Sequence, residues 1–217
     1  MEFVKKAKIL MEKISIFCDV GAYQGVYSEI AASTLPEGGK IHIFEPRPVC
    51  HPYYNKIKKK GLSRNLETKS YKIALSDKAG TATIRKDTLN NDITGKLQYA
   101  PKAVNTRTLD EVMLDENNQV PDLVKIDVEG WEYNVLLGAK RIIEMCKTHF
   151  FIEVHWEYLR YAGLKGEDVL DLFDDNLYEK DLMYFHQGKP FPPVEGVRQA
   201  KTALSYYHIY PTVKSEQ

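Results

Sequence analysis

PDLVKIDVEGWE, the segment from Pro121 to Glu132, decides the fold of this chain. An apolar run over 122–127 ends abruptly in carboxylates, which a glycine and a helical pattern follow. A strand of a parallel sheet is buried on both faces and therefore has a nearly continuous apolar sequence. Ligands of open α/β sheets bind beyond the carboxyl ends of such strands. The segment therefore predicts a buried parallel strand that opens into a binding site.

A second segment of the same kind lies near the N-terminus, where IFCDVGAYQGVYS runs from Ile16 to Ser28. Asp19 and two glycines, Gly21 and Gly25, stand there between a predicted strand and a predicted helix. The carboxyl ends of parallel strands meet at one edge of a sheet, so both acidic strand ends should face one crevice. Acids concentrated at that edge favour a small, positively charged ligand.

Strand and helix patterns alternate along the whole chain. Strands are predicted at 14–20, 40–45, 68–74, 81–86, 122–127, 149–154, 181–186 and 204–210, and helices at 26–34, 48–60, 108–114, 131–146 and 166–177. Repeated β-α-β units imply a parallel sheet with right-handed crossovers and helices on both faces. The last two strands suggest an antiparallel C-terminal edge. The predicted fold class is α/β with a mostly parallel sheet.

The length of 217 residues suits one α/β domain with a full core. We find no internal repeat and no linker. Phe3, Ala7 and Leu10 have helical spacing, so residues 1–13 are predicted to form a short helix docked on the domain. Residues 14–160 should form the cofactor-binding core, and residues 161–217 a C-terminal helix and β-hairpin.

Charge and cysteine content narrow the class of protein. Lysine plus arginine number 30, as do aspartate plus glutamate, and this balance disfavours a nucleic-acid-binding protein. Cys18, Cys50 and Cys146 lack CxxC spacing, which argues against a disulfide framework or structural zinc and for a reducing compartment. No apolar stretch approaches membrane-spanning length, and the N-terminus is too charged for a signal peptide. We expect a cytoplasmic protein with neither nucleic acid nor membrane as partner, whose oligomeric state the sequence leaves open.

The loop from Asp19 to Gly25 has GxxxG spacing and not the GxGxxG spacing that cradles a pyrophosphate. The acid before its first glycine would repel a diphosphate but suits a cation. Glu45 ends the second predicted strand, about 20 residues beyond the loop, where an acid typically receives ribose hydroxyls. A ligand with ribose and positive charge but no phosphate fits S-adenosylmethionine.

Simpler interpretations of these residues stay open. The two glycines would also make a tight turn between strand and helix, and Glu45 could cap the next helix. Asp77, after the third strand, could meet the adenine amino group or could merely stabilise a turn.

Several ordered motifs together resemble the FkbM-type methyltransferases. They are Asp19-Val-Gly-Ala with Gly25-Val-Tyr-Ser28, Phe44-Glu-Pro-Arg-Pro48, Ala74-Leu-Ser-Asp77 with Gly80, Thr108-Leu-Asp110, Lys125-Ile-Asp-Val-Glu-Gly-Trp-Glu132 with Leu137-Gly-Ala139, and Ile152-Glu-Val-His155. The resemblance covers the chain from residue 14 to residue 156 and implies the class I methyltransferase fold, a Rossmann-like sheet of seven strands. It also implies S-adenosylmethionine as donor and a hydroxyl acceptor on a sugar, a glycan or another small natural product.

The resemblance and the strand-end argument together give a set of predicted donor contacts. These residues are Asp19, Gly21, Tyr23, Gly25, Tyr27, Ser28, Glu45, Asp77 and Asp127. The family usually has asparagine where Tyr23 stands, so the contact of this loop with the donor should differ in detail.

Methyl transfer to an alcohol needs a base, because a hydroxyl is a poor nucleophile until its proton is removed. Asp127, Glu129 and His155 are the candidates at the mouth of the sheet. A histidine with an ordinary pKa near ~6.5 accepts a proton at neutral pH, although His155 could instead be a strand-end residue bonded to Glu153. The three candidates could also hold a divalent metal, which we regard as the less favoured arrangement. We interpret Glu132 as an acid that the helix dipole favours without any function.

The sequence leaves two alternative functions open. The first is methylation of a nucleic-acid base, which the chain disfavours because it lacks an Asn-Pro-Pro-Tyr or Asp-Pro-Pro-Tyr segment after the fourth strand. The second is a catalytically silent nucleoside-binding protein of the same fold. The long polar segment 87–105 resembles a lid or the edge of an acceptor pocket.

Overall fold

The computed structural model describes residues 2–84, 102–186, 189–190 and 205–212. Its strands are β1 (Ile16–Val20), β2 (Lys40–Phe44), β3 (Glu67–Tyr71), β4 (Ala74–Leu75), β5 (Gly80–Ile84), β6 (Lys102–Arg107), β7 (Leu123–Ile126), β8 (His149–Val154), β9 (Tyr178–His186), β10 (Lys189–Pro190) and β11 (Ser205–Pro211). Its α-helices are α1 (Glu2–Met11), α2 (Val26–Thr34), α3 (His51–Leu62), α4 (Glu132–Leu137), α5 (Lys140–Glu144), α6 (Trp156–Tyr161) and α7 (Gly166–Leu170). A 3₁₀ turn covers Pro48–Cys50, and a π-helical turn covers Glu111–Glu116.

The main sheet has the strand order β10-β9-β11-β8-β7-β1-β2-β3, in which β10 is a two-residue extension of the edge. The pairs from β8 through to β3 are parallel. β11 runs antiparallel to both of its neighbours, β8 and β9. This order confirms the predicted mostly parallel sheet of seven strands with an antiparallel C-terminal part. A second, three-stranded sheet has the order β4-β6-β5.

Apolar side chains cover both faces of the main sheet. On β1, Phe17 packs into the core that α1, α2 and α3 cover, whereas Cys18 and Val20 pack into the core under α4 to α7. All three side chains are at most 1% exposed. Full burial of one large apolar side chain is worth roughly 1.5–3 kcal/mol, so both faces contribute to stability. The prediction of helices on both faces is confirmed.

The segment predicted as a helix over 108–114 begins with a hydrogen-bonded pair of side chains. Thr108 and Glu111 form a capping box, in which the Glu111 N–H donates to the Thr108 hydroxyl at 3.0 Å and the Thr108 N–H donates to the Glu111 carboxylate at 3.0 Å. The turn that follows is π-helical and extends to Glu116, two residues beyond the predicted end.

The single helix predicted over 131–146 is wrong, because the structure divides it into α4 and α5. Gly138 lies at the break and approaches the backbone of Ser76 so closely that an added Cβ would be 2.0 Å from the Ser76 carbonyl oxygen. The buried carboxylate of Asp110 accepts hydrogen bonds from the N–H groups of Arg141 and Ile142, at 2.8 and 3.1 Å. These bonds satisfy the free donors at the start of a new helix.

The helix predicted over 166–177 is also too long, since α7 ends at Leu170. The Asp174 carboxylate accepts the N–H of Asn176 at 2.8 Å, and this local bond favours a turn over a continued helix. Helix α6 and strand β6 were not predicted. Strand β6 takes residues 102–105 of the polar segment, and residues 87–101 lie outside the described part of the chain.

The N-terminal helix α1 packs on the domain through Ala7 and Met11, which are both fully buried. Lys6 forms an ion pair with Asp181 of β9 at 2.7 Å. The division of the domain into a core and a C-terminal part stays a prediction. Cys18, Cys50 and Cys146 are thiols that form no disulfide within the described residues. Among the described residues, no helix has the length and apolar content needed to cross a membrane.

Candidate active site

Gly21 joins the carboxyl ends of β1 and β7. Its φ is +70°, and a Cβ on this residue would lie 1.8 Å from the carbonyl oxygen of Asp127. Both the backbone conformation and the space therefore require glycine. The two acidic strand ends that the sequence singled out thus meet at one edge of the sheet.

Asp19 is fully buried, and its partners belong to the protein itself. One carboxylate oxygen accepts hydrogen bonds from the Ser28 N–H at 3.0 Å and from the Ser28 hydroxyl at 2.6 Å. The other oxygen lies 3.3 Å from the ammonium of Lys125. Asp19 and Ser28 thus fix the start of α2, and their predicted contact with the donor stays a prediction.

Lys125 is the buried cation of the site, at 4% exposure. Its ammonium donates to the carbonyl oxygen of Gly21 at 2.8 Å and pairs with Asp19 at 3.3 Å and Asp127 at 3.5 Å. Burial acts to lower the pKa of Lys125, but the two carboxylates outweigh it and hold that pKa above its ordinary value. Lys125 was not among the predicted site residues, although a lysine inside an apolar strand was a visible signal.

Gly25 faces α3 within the protein. With φ at +79°, a Cβ on Gly25 would lie 2.6 Å from the Ile57 side chain and 3.2 Å from the Tyr54 ring. The Tyr54 hydroxyl also donates to the carbonyl oxygen of Tyr23 at 2.7 Å. Tyr23 has a φ of 50°, which asparagine tolerates better than tyrosine. This conformation explains why asparagine suits the position.

Glu45 lies at the end of β2, as predicted, and is 1% exposed. Its carboxylate accepts the N–H groups of Tyr23 and Arg47 at 2.9 and 3.0 Å. The Arg47 guanidinium adds two bonds, from Nε at 2.8 Å and from Nη2 at 3.0 Å. A role for Glu45 in binding ribose stays a prediction.

Asp77 is linked to the loop before α4. The Ser76 hydroxyl donates to Asp77 at 2.9 Å and accepts the indole N–H of Trp131 at 3.2 Å. Trp131 is 43% exposed, so it lines the surface beside the site. These contacts fit both the adenine role and the turn role of Asp77.

His155 follows β8 and forms the centre of the charged cluster. Its Nδ1 lies 2.8 Å from the fully buried carboxylate of Glu132. A carboxylate can only accept here, so Nδ1 carries the hydrogen. Nε2 then faces Asp127 and Glu153, each at 3.9 Å. The alternative interpretation of His155 offered Glu153 as a bonding partner, whereas the hydrogen-bonded partner in the structure is Glu132.

Glu132 therefore makes a specific contact with His155, which its interpretation as an acid favoured by the helix dipole did not include. Besides holding His155, it accepts the N–H of Gly130 at 2.9 Å. Both contacts fix the loop between β7 and α4 against the end of β8. Sequence periodicity could not reveal this pairing, because Glu132 and His155 are 23 residues apart.

The acids around His155 change its protonation. Burial acts to lower the pKa of His155, but the hydrogen bond and charge of Glu132, together with Asp127 and Glu153, raise it to about 9. Burial and the charge of Asp127 raise the pKa of Glu153 to about 7. The Tyr206 hydroxyl donates to Glu153 at 2.6 Å. Because its pKa is about 9, the His155 side chain is an imidazolium at neutral pH.

Tyr27 lies beside the same cluster. The ammonium of Lys125 is 5.6 Å from the centroid of its ring, within the range of a cation–π interaction. Burial raises the pKa of the Tyr27 hydroxyl, and the charges of Glu153 and Asp19 raise it further. Tyr27 therefore stays a neutral hydroxyl next to the acids.

The predicted metal set changes in the structure. Glu129 is exposed in the turn after β7, with a φ of 54°, and does not join His155. Asp127, Glu153 and His155 instead each offer a ligand atom within 4.8 Å of the others. Nε2 of His155 lies 3.9 Å from each carboxylate, whereas neighbouring ligands about 2.1 Å from one ion lie closer together than that.

Exposed aromatic rings lie beside His155. Tyr158 stacks on the imidazole with 5.8 Å between ring centroids and 22° between ring planes, and it is 41% exposed. Gly130 lies under Tyr158, where a Cβ would be 2.3 Å from the Tyr158 Cβ. The glycine thus lets the loop before α4 approach α6 and places an aromatic surface at the histidine.

Comparison with known proteins bears on the fold and the family of this chain. Residues 19–180 match the model of the Methyltransferase FkbM domain family. A methyltransferase FkbM from Methylobacillus flagellatus has a similar fold, with a TM-score of 0.56 and 14% identity over 91% of this chain. This chain spans 44% of the length of that protein. Comparison with curated protein sequences gives no match.

Two further solved structures share the fold. An rRNA methylase from Streptococcus thermophilus has a TM-score of 0.52 and 11% identity, over 95% of this chain and 94% of that protein. An O-methyltransferase from Bacillus cereus, solved in complex with SAH, has a TM-score of 0.53 and 8% identity, over 96% of this chain and 80% of that protein. Likeness at this identity establishes the fold alone. The match over residues 19–180 establishes more: this chain belongs to the FkbM methyltransferase family.

Proposed function

We propose that the protein transfers a methyl group from S-adenosylmethionine to a hydroxyl of a sugar, a glycan or another small natural product. The observation that carries this proposal is the 2.8 Å bond between Glu132 and Nδ1 of His155. It directs Nε2 toward the edge of the sheet where Asp127 lies. A histidine held in this way is suited to take a proton from an alcohol.

The charge balance of the cluster supports a cationic donor. The cluster contains two cations, Lys125 and His155. The carboxylates that face them are those of Asp19, Asp127, Glu132 and Glu153. Acids therefore exceed cations, and a sulfonium or ammonium group would restore the balance. The donor, when bound, supplies an electrophilic methyl group with a neutral leaving group. The loop over 19–25 and the ends of β2 and β7 would hold it.

The protonation of His155 fits a base that the donor primes. With a pKa of about 9, the imidazole holds a proton at neutral pH before the donor binds. A positive charge brought near it lowers that pKa, because like charges disfavour the imidazolium. The neutral Nε2 can then accept the hydroxyl proton of the acceptor. Glu132 stabilises the imidazolium that this transfer forms.

The surface beside His155 supports a small cyclic acceptor. Tyr158 and Trp131 are both more than 40% exposed at the site. Aromatic rings of this kind stack on the apolar faces of ring-shaped ligands. The overall charge of zero supports a neutral acceptor over a nucleic acid. We further propose that the protein acts in the cytoplasm and without a membrane partner.

Transfer of a labelled methyl group to a panel of sugars, glycans, small natural products and RNA tests the proposal. We expect labelled sugars or natural products, and a loss of about 10²- to 10⁴-fold in kcat for His155→Gln with donor binding retained. His149→Gln is the matched control, since His149 begins the same strand at its opposite end, and it should keep full activity. Label in RNA alone would support the nucleobase alternative. Donor binding without any transfer would support a silent nucleoside-binding protein.

The reaction is expected to proceed without a divalent metal. Transfer should therefore continue at the full rate in excess chelator. Loss of transfer that added Mg²⁺ or Mn²⁺ restores would contradict this expectation and assign Asp127, Glu153 and His155 as ligands.

A further inference from the structure

Glu45 already receives as many hydrogen bonds as its carboxylate can accept. An ionised carboxylate offers about four lone-pair sites. The backbone N–H groups of Tyr23 and Arg47 take two of them, at 2.9 and 3.0 Å. Nε and Nη2 of Arg47 take the other two, at 2.8 and 3.0 Å. With Glu45 at 1% exposure, no acceptor site is left for a ribose.

Only the side-chain donors of this set can leave without unfolding the loop. The two backbone donors are fixed by the course of the chain. The Arg47 side chain is 20% exposed, and its guanidinium carbon lies 5.1 Å from the centroid of the Tyr23 ring. Arg47 therefore lies between solvent and the acid, and rotation about its side-chain bonds would release two acceptor sites together.

We propose that the Arg47 guanidinium takes the two places on Glu45 that the ribose 2′ and 3′ hydroxyls would fill, and that donor binding exchanges its two hydrogen bonds for those of these hydroxyls. This inference rests on the proposed function, because it requires an adenosyl donor. The exchange keeps every acceptor site of the buried carboxylate filled, so no site loses its partner. Arg47 thus competes with the ribose hydroxyls for Glu45 and weakens the binding of ligands that carry them.

Calorimetric titration with S-adenosylhomocysteine and with its 2′,3′-dideoxy analogue tests this exchange. Arg47→Met removes the fork and keeps both backbone donors to Glu45. We expect the Kd for S-adenosylhomocysteine to fall about three- to tenfold, a change that reflects a lost competitor. The Kd for the dideoxy analogue should stay within about twofold, because that ligand displaces no donor.

Two further variants sharpen the experiment. Arg141 forms a comparable fork with Asp115, at 3.0 and 2.8 Å, on the exposed surface, so Arg141→Met should leave both Kd values unchanged. Arg47→Lys keeps the charge but not the fork, and it should tighten binding of S-adenosylhomocysteine by a smaller factor. This variant also serves if Arg47→Met fails to fold.

The outcomes separate the inference from the proposed function. Weaker binding by both Arg47 variants, or an equal gain for both ligands, overturns the role of Arg47 and leaves the donor pocket in place. Failure of the wild-type protein to bind S-adenosylhomocysteine overturns the proposed function together with this inference.

Discussion

At the scale of the residue, the pKa of His155 is the property that controls the proposed chemistry. Three carboxylates raise it against the effect of burial, and Glu132 acts most strongly because it is in direct contact. The group is therefore charged before the donor arrives and must lose its proton before it can act as a base. The pH dependence of the rate should report this sequence of events.

The first prediction concerns kcat/KM for S-adenosylmethionine, which reports the ionisations of the enzyme before the donor binds. It should rise with pH and level off above a pKa of about 9, since the imidazolium of His155 must lose its proton. Glu132→Gln removes the carboxylate that most favours the charged form, so the rise should move to lower pH. The measurement is the pH profile of both proteins.

Glu157→Gln provides the control for this substitution. Glu157 lies two positions beyond His155, is exposed, and is not among the groups that shift the pKa of His155. Its profile should match that of the wild-type protein. An unmoved profile in Glu132→Gln would contradict the pairing of Glu132 with His155.

The location of a single residue in the site was predictable from the sequence when its position within a strand determined that location. Asp19, Glu45 and Asp127 end parallel strands, so the edge on which they lie followed from the pattern. Glu132 was not predictable as the partner of His155, because the directions of side chains on separate elements decide which atoms meet.

At the scale of the element, the β1–α2 turn and β7 depend on Gly21. The second prediction is that Gly21→Ala lowers the free energy of unfolding by about 3 kcal/mol or more, since it adds a clash with Asp127 to the cost of an unfavourable φ. Chemical denaturation measures the change. Binding of S-adenosylhomocysteine should be lost as well.

Gly38→Ala separates the cost of the unfavourable φ from the cost of the clash with Asp127. Gly38 has a φ of +79° but nothing within 4 Å of an added Cβ. Its substitution should cost only about 1–2 kcal/mol, which is the conformational part alone. Equal losses in both variants would mean that the approach to Asp127 contributes nothing.

Elements with strong local signals were predicted well, and those that depend on tertiary contacts were not. Helix α2 covers the predicted residues 26–34, because apolar spacing and Pro36 define both of its ends. The break between α4 and α5 depends on a carbonyl of Ser76, far away in sequence. Periodicity carries no information about such a contact, so the two helices were predicted as one.

At the scale of the whole molecule, the proposed donor site draws on β1, β2, β7 and β8, which are neighbours in one sheet. The third prediction is that S-adenosylhomocysteine at about 100 times its Kd stabilises the fold by about 2.7 kcal/mol. For a chain of this size the melting temperature should rise by roughly 5–10 °C. Differential scanning calorimetry measures it.

Cytidine is the control ligand for this prediction, since it has the ribose but not the adenine or the amino-acid part. It should leave the melting temperature within about 1 °C of that of the free protein. A melting temperature that S-adenosylhomocysteine does not change would contradict a pocket shared by these strands.

The position of β11 has a consequence for how the protein is made. This strand is the last of the described chain to leave the ribosome, yet it inserts between β8 and β9. Until β11 is made, the edge of β8 that faces away from β7 lacks this hydrogen-bonding neighbour and could pair with another nascent chain. The same strand brings the Tyr206 hydroxyl to Glu153. Translation must therefore pass β11 before the sheet closes and the Tyr206 hydroxyl can reach Glu153.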